Sequence, residues 1–189
     1  MSEKKRFPLS RAEEIGRDLA FAIQPWCEIV EVAGSIRRRK PTVGDIEIVY
    51  VPSFTMEKDG FFDTKRKCLV DGVIQNLVCR GIIAPRQHEN GAGMSWGEKN
   101  KLAVHLASGI PVDFFATKAE CWPNYLVCRT GGAINNTRIA AAGKRLGLKW
   151  HPYGIGFEHL GNGEWRVVKS EADVYRIVNL PYLPPEKRP

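Results

Sequence analysis

Apolar residues recur at helical spacing near the start of the chain, where Ala12, Ile15, Leu19 and Ile23 fall three or four apart. Pro8 and Ser10, with Glu13 three residues after the serine, supply a capping-box start, and Gln24-Pro25 supplies an end. A β-rich run, Glu28 to Ala33, is broken by Gly34-Ser35. Asp45-Ile46-Glu47-Ile48-Val49-Tyr50-Val51 then gives the clearest strand in the chain. Asp63 or Thr64 can cap a second helix, whose apolar residues Leu69, Val70, Val73, Ile74, Leu77 and Val78 precede a stop at Gly81. Ile82-Ile83-Ala84 is a short strand, Arg86 to Gly97 a polar loop, and Lys101–Ala107 with Ile110–Ala116 a hairpin.

The texture changes after Lys118. Thr130-Gly131-Gly132 opens a helix to about Leu146, strands follow around Leu148–Tyr153 and Trp165–Val168, and Ser170 to Asp173 caps a last helix. The pattern predicts an α+β chain in two parts: residues 1–117 with a mixed, twisted sheet, and residues 118–189 with a small sheet and helices.

Within that pattern three acids stand out. Asp45 and Glu47 are two apart on a strand, so both carboxylates leave the same face. Like charges side by side repel and raise each other's pKa until a cation neutralises them, and hard oxygen donors suit Mg²⁺ or Mn²⁺. Asp113, between Val112 and Phe114-Phe115, is an acid in an apolar strand and would complete a cage for two ions if that strand lies beside Asp45. Each acid taken singly reads as a solvated or edge position; their order behind a Gly-Ser turn is what carries information. That turn, Gly34-Ser35, leads into Arg37, Arg38, Arg39 and Lys40, a run suited to phosphate oxygens.

Composition narrows the setting. The net charge of +7 favours an anionic partner. With 43% hydrophobic and 26% charged residues and no apolar run of transmembrane length, the expectation is a soluble, cytoplasmic, monomeric protein without a membrane partner. The five cysteines are scattered and odd in number, which indicates neither a disulfide framework nor a zinc site. No ligand spacing links His88, His105, His151 and His159, and Trp96 is the candidate for stacking on an unpaired base, with loop anchoring as the plainer alternative.

The arrangement Gly34-Ser35, Asp45-Ile46-Glu47 and a distant Val112-Asp113 resembles the signature of the DNA polymerase beta nucleotidyltransferase superfamily. Gly34 to Arg38, Gly44-Asp45, Thr130-Gly131 with Asn136, and the ending Leu180 to Glu186 are similar to family X DNA polymerases in particular, from about Arg6 onward. The resemblance matches their palm (1–117) and thumb (118–189). Their lyase and helix-hairpin-helix domains have no counterpart here, as in minimal enzymes that some viruses encode.

The resemblance implies addition of a nucleotide from a dNTP to a primer 3′ end, with primer/template DNA as partner and two Mg²⁺ ions, replaceable by Mn²⁺, as cofactors. Short-gap repair in a bacterial or virus-infected cell would be the setting. It makes Asp45 and Glu47 ligands of both ions, and Asp113 a ligand of the catalytic ion and the acceptor of the 3′-hydroxyl proton. Ser35 and Arg38 would hold the β and γ phosphates beside Gly34, and Arg6 a further phosphate. Gly131 would lie against the incoming sugar and Asn136 against the base edge. Three positions depart from the family: Glu47 where close members carry Asp, Cys128-Arg129 where many carry an aromatic pair, and Ala140 where many carry a template-contacting Arg. The last two open an alternative, a template-independent transferase or an enzyme that modifies RNA or a small molecule.

Overall fold

The computed structural model describes residues 5–59, 63–87 and 93–189. In chain order its elements are β1 (Phe7–Pro8), α1 (Leu9–Ile23), β2 (Cys27–Val32), α2 (Gly34–Arg37), β3 (Thr42–Val43), β4 (Ile46–Pro52), β5 (Phe54–Asp59), β6 (Asp63–Cys68), α3 (Leu69–Cys79), β7 (Ile83–Pro85), β8 (Asn100–His105) and β9 (Ile110–Ala116). The remainder comprises α4 (Trp122–Thr130), α5 (Ala133–Arg145), β10 (Leu148–His151), β11 (Gly156–His159), β12 (Trp165–Val167) and α6 (Glu171–Ile177).

The main sheet has the order β2-β4-β9-β8-β7, with β4 and β9 parallel and the other neighbours antiparallel. β4 and β9 sit between other strands, which is why their apolar residues run almost without a break: both faces are covered. On one face Ile46, Ile48, Tyr50, Val112 and Phe114 form a core with Ala12, Ile15, Leu19 and Ile23 of α1 and Val70, Ile74 and Leu77 of α3. On the other, Val49 and Phe115 are covered by Tyr125 and Leu126 of α4. A further core joins Val127 of the same helix to Ile139 and Ala142 of α5, Leu148 and Phe157 of the small β10-β11-β12 sheet, and Val174 and Tyr175 of α6. The α+β class read from the sequence is therefore the observed one.

Several local expectations change. No capping box opens α1: the helix starts at Leu9, behind Pro8, and Ser10 falls inside it. Asp63 and Thr64 do not cap a helix but begin β6, which pairs with β5 in a separate hairpin closed by Leu69 N–H to Ser53 O (3.1 Å). Three charged residues in a row, Lys65-Arg66-Lys67, mask a strand exposed on both sides. The stretch around Trp122 is helix α4, whose short length and mixed burial leave no clear stripe to read. Trp96 packs against the main core, so it is a loop anchor. His88 lies outside the described residues. The capping box at Ser170 and Asp173 is present.

Candidate active site

The parallel pairing of β4 and β9 sets Glu47 directly beside Asp113. The next strand places Leu102 beside Asp113, and Arg86 N–H bonds Leu102 O (3.0 Å), so Arg86, Leu102, Asp113 and Glu47 form a row across the sheet. Because side chains alternate, this row faces away from α1 and α3. Asp45, immediately before β4, has the parity of Glu47 and extends the acids along the same face.

Burial and mutual repulsion set the charge state of these groups. Glu47 is pushed up to about 8, first by loss of water, then by Asp45 and Asp113, with relief from Arg129 and Arg38. Asp113 is also raised by burial, and the Arg86 hydrogen bond works against that rise. Arg86 donates from Nη2 to Asp113 Oδ1 at 2.7 Å. Arg129 Nη1 lies 3.8 Å from Glu47 Oε1, while its guanidinium covers the Phe115 ring at 3.5 Å and reaches Tyr153 at 5.1 Å. Neither arginine is evident as a counter-ion in the sequence. The loop bearing Arg86 gives no periodic signal, and Arg129 reads only as a departure from an aromatic pair.

The phosphate-directed residues come from the β2–α2 turn. Ala33 N–H bonds Glu47 O (2.8 Å), which seats the turn against the acids. Gly34 has φ of +62°, and a Cβ there would fall 2.2 Å from Glu47 Oε2, so both backbone and space require glycine. Ser35 follows in the single turn of α2. Arg38 donates to Thr130 O, and Arg37 donates to Thr130 Oγ1 (3.0 Å) and in a fork to Glu171 (2.6 and 2.9 Å). Arg188, fully buried, makes the third arm of that ion pair at 2.8 Å. Burial depresses Arg38, and Glu47 and Asp45 oppose the depression.

Gly131 follows Thr130, and a Cβ on it would lie 2.4 Å from Asn136 Oδ1; Asn136 donates to Cys128 O at 2.8 Å. The structure thus brings Gly34, Ser35 and Arg38 to Gly131 and Asn136 through the Thr130 junction. Arg6 stays exposed at the rim, held by Thr42 O (2.6 Å) and beside Gly44, whose Cβ position is 3.5 Å from Arg6 Nη1.

Asp45, Glu47 and Asp113 offer hard oxygen donors on one face of adjacent strands, with Glu47 and Asp113 raised by loss of water, and this donor set suits Mg²⁺ or Mn²⁺. In the conformation described, Asp113 and Glu47 face Arg86 and Arg129, and among the described residues no three His, Cys, Asp or Glu side chains converge at metal-holding spacing.

Residues 125–189 match the family model described as DNA polymerase beta thumb. Over 188 residues, 98% of this chain, the sequence is 26% identical to the DNA polymerase/3′-5′ exonuclease PolX of Bacillus subtilis strain 168. The chain is thus similar to a DNA polymerase of the PolX type along nearly its whole length, and to the polymerase beta thumb in its last third. It spans 29% of that relative's length. A crystal structure of Leishmania infantum polymerase beta, a ternary P/T complex, superposes with a TM-score of 0.72 at 17% identity, covering 98% of this chain and 77% of that one. At that identity the likeness establishes a shared fold. Among the described residues no helix is long and apolar enough to cross a membrane.

Proposed function

We propose that this family X chain adds a deoxynucleotide from a dNTP to the 3′-hydroxyl of a DNA primer, short gaps being its natural substrate. The observation that carries the reading is the cross-sheet pairing of Glu47 with Asp113 next to Asp45, set against the Gly34-Ser35 turn. Residues 1–117 act as the palm and 118–189 as the thumb, with the nucleotide between them.

Asp113 is placed to accept the 3′-hydroxyl proton. Its raised pKa increases its basicity, and the Arg86 hydrogen bond occupies Oδ1, which leaves Oδ2 to face the primer. Two divalent ions held by Asp45, Glu47 and Asp113 would supply charge neutralisation at the attacking and leaving oxygens. Ser35 and Arg38 hold the β and γ phosphates, for which Arg38 exchanges its bond to Thr130 O, and Arg6 meets a phosphate at the rim. Gly131 leaves room for the sugar and Asn136 stands at the base edge.

Primer extension with Mg²⁺ and dNTPs tests this: wild type extends a recessed primer and Asp113→Ala loses at least about a hundredfold in kcat. Equal rates in the two proteins would end the proposal. A second reading changes the acceptor to a single strand, RNA or a small molecule. It is favoured by Ala140, exposed on α5 where a longer side chain would reach a template. Incorporation that ignores the template base, or that prefers NTPs, would favour it over the first.

A further inference from the structure

The small β10-β11-β12 sheet has two unlike faces. Leu148, Trp150 and Phe157 turn inward, with Trp150 stacked on Phe157 at 6.2 Å. The pairings Lys149↔Glu158↔Trp165 and His151↔Gly156↔Val167 put the other side chains on the opposite face. There Trp165 is 43% and Val167 47% exposed, values that no packing role within the chain accounts for. The His151 ring lies 4.8 Å from Trp165 and donates from Nε2 to Glu158 Oε2 at 2.8 Å, which fixes its plane and occupies the one acid on this face.

From this face the chain leads directly to the candidate active site. Two residues after His151, Tyr153 is 57% exposed, meets the Tyr125 ring at a tilt with centroids 5.2 Å apart and reaches Arg129, the arginine beside Glu47. Lys149, paired with Glu158 on this face, and Lys169, two residues beyond Val167, are exposed and add positive charge beside the strip. Aromatic rings half open to solvent, flanked by cations and leading away from a site built for a nucleotide, fit the flat faces and phosphates of an unpaired strand. A protein partner would call for a broader apolar area.

We propose that Trp165, with His151 and Tyr153, forms a stacking surface for the unpaired bases of a single-stranded overhang on DNA held at the candidate site. Base stacking on one such ring contributes about 1–3 kcal/mol. The proposal rests on the nucleic-acid reading of the site but not on its chemistry, so binding is measured without metal or nucleotide. Fluorescence anisotropy would compare a blunt duplex with the same duplex carrying a 5′ overhang, for wild type, Trp165→Ala, Trp165→Phe and Asp113→Ala.

Wild type and Asp113→Ala should favour the overhang equally. Trp165→Ala should lose about tenfold on the overhang and little on the blunt duplex, Trp165→Phe should keep most of the affinity, and melting temperatures should coincide. Unchanged overhang affinity in Trp165→Ala, or an equal loss on both DNAs at unchanged melting temperature, overturns the stacking surface. If Trp165→Ala melts early, the Trp165→Phe and Tyr153→Ala proteins decide by the same comparison. Overhang selectivity that depends on Trp165 in a protein that extends no primer would keep the surface and reject the polymerase reading.

Discussion

Glu47 is pushed up to about 8 because it is largely cut off from water, two other carboxylates stand beside it and Arg129 approaches only to 3.8 Å. A carboxyl pushed up to about 8 is favoured in the fold while protonated; that advantage is complete below its ordinary pKa and is lost as pH rises through about 8. In metal-free buffer the wild type should therefore lose stability between pH 5 and pH 9, as flagged roughly by that shift. Glu47→Gln, which keeps the shape and removes the charge, should lack that loss and melt several degrees higher than wild type at the alkaline end. Parallel melting curves across the range would show that the arginines already balance the site. Gly34 makes room for this acid, since a Cβ on it would fall 2.2 Å from Glu47 Oε2.

At the scale of elements, near-continuous apolar runs from Ile46 to Val51 and from Ile110 to Ala116 made the two strands legible, and the two-residue spacing of Asp45 and Glu47 gave their shared face. Their pairing was not legible. It depends on a crossover through β5, β6, α3, β7 and β8, and only the assembled sheet brings Arg86 level with Asp113. The β5–β6 hairpin was hidden for the opposite reason: its charged residues lie on an exposed ribbon, so no face is apolar enough to declare a strand. Capping signals were readable only where the side chain had no competitor. At α6 the Ser170 hydroxyl accepts from Asp173 N–H (3.2 Å) and Asp173 accepts from Ser170 N–H (3.0 Å). At α1, Pro8 takes the cap position instead. Ser170→Ala should cost about 1 kcal/mol in urea denaturation, whereas Ser10→Ala, inside a helix, should cost far less. Equal costs would contradict the assignment of the caps.

For the molecule as a whole, the net charge of +7 makes phosphate contacts the main expected source of DNA affinity under the proposed function. Duplex binding should fall by about tenfold or more between 50 and 200 mM salt, and synthesis should be distributive; an affinity indifferent to salt would place the interaction elsewhere. The two parts of the chain are also less separable than a boundary near residue 118 suggests. α4 gives Tyr125 and Leu126 to the core against Phe115 and Val49, and Val127 to the core around Phe157. A fragment excised at residue 125, where the match to the thumb model starts, would take Tyr125 and Leu126 away from their partners and leave Val49 and Phe115 bare. Anyone exchanging the C-terminal part for a relative's should accordingly carry α4 across whole and redesign the side chains that meet Val49 and Phe115, since the seam runs along the helix and not before it.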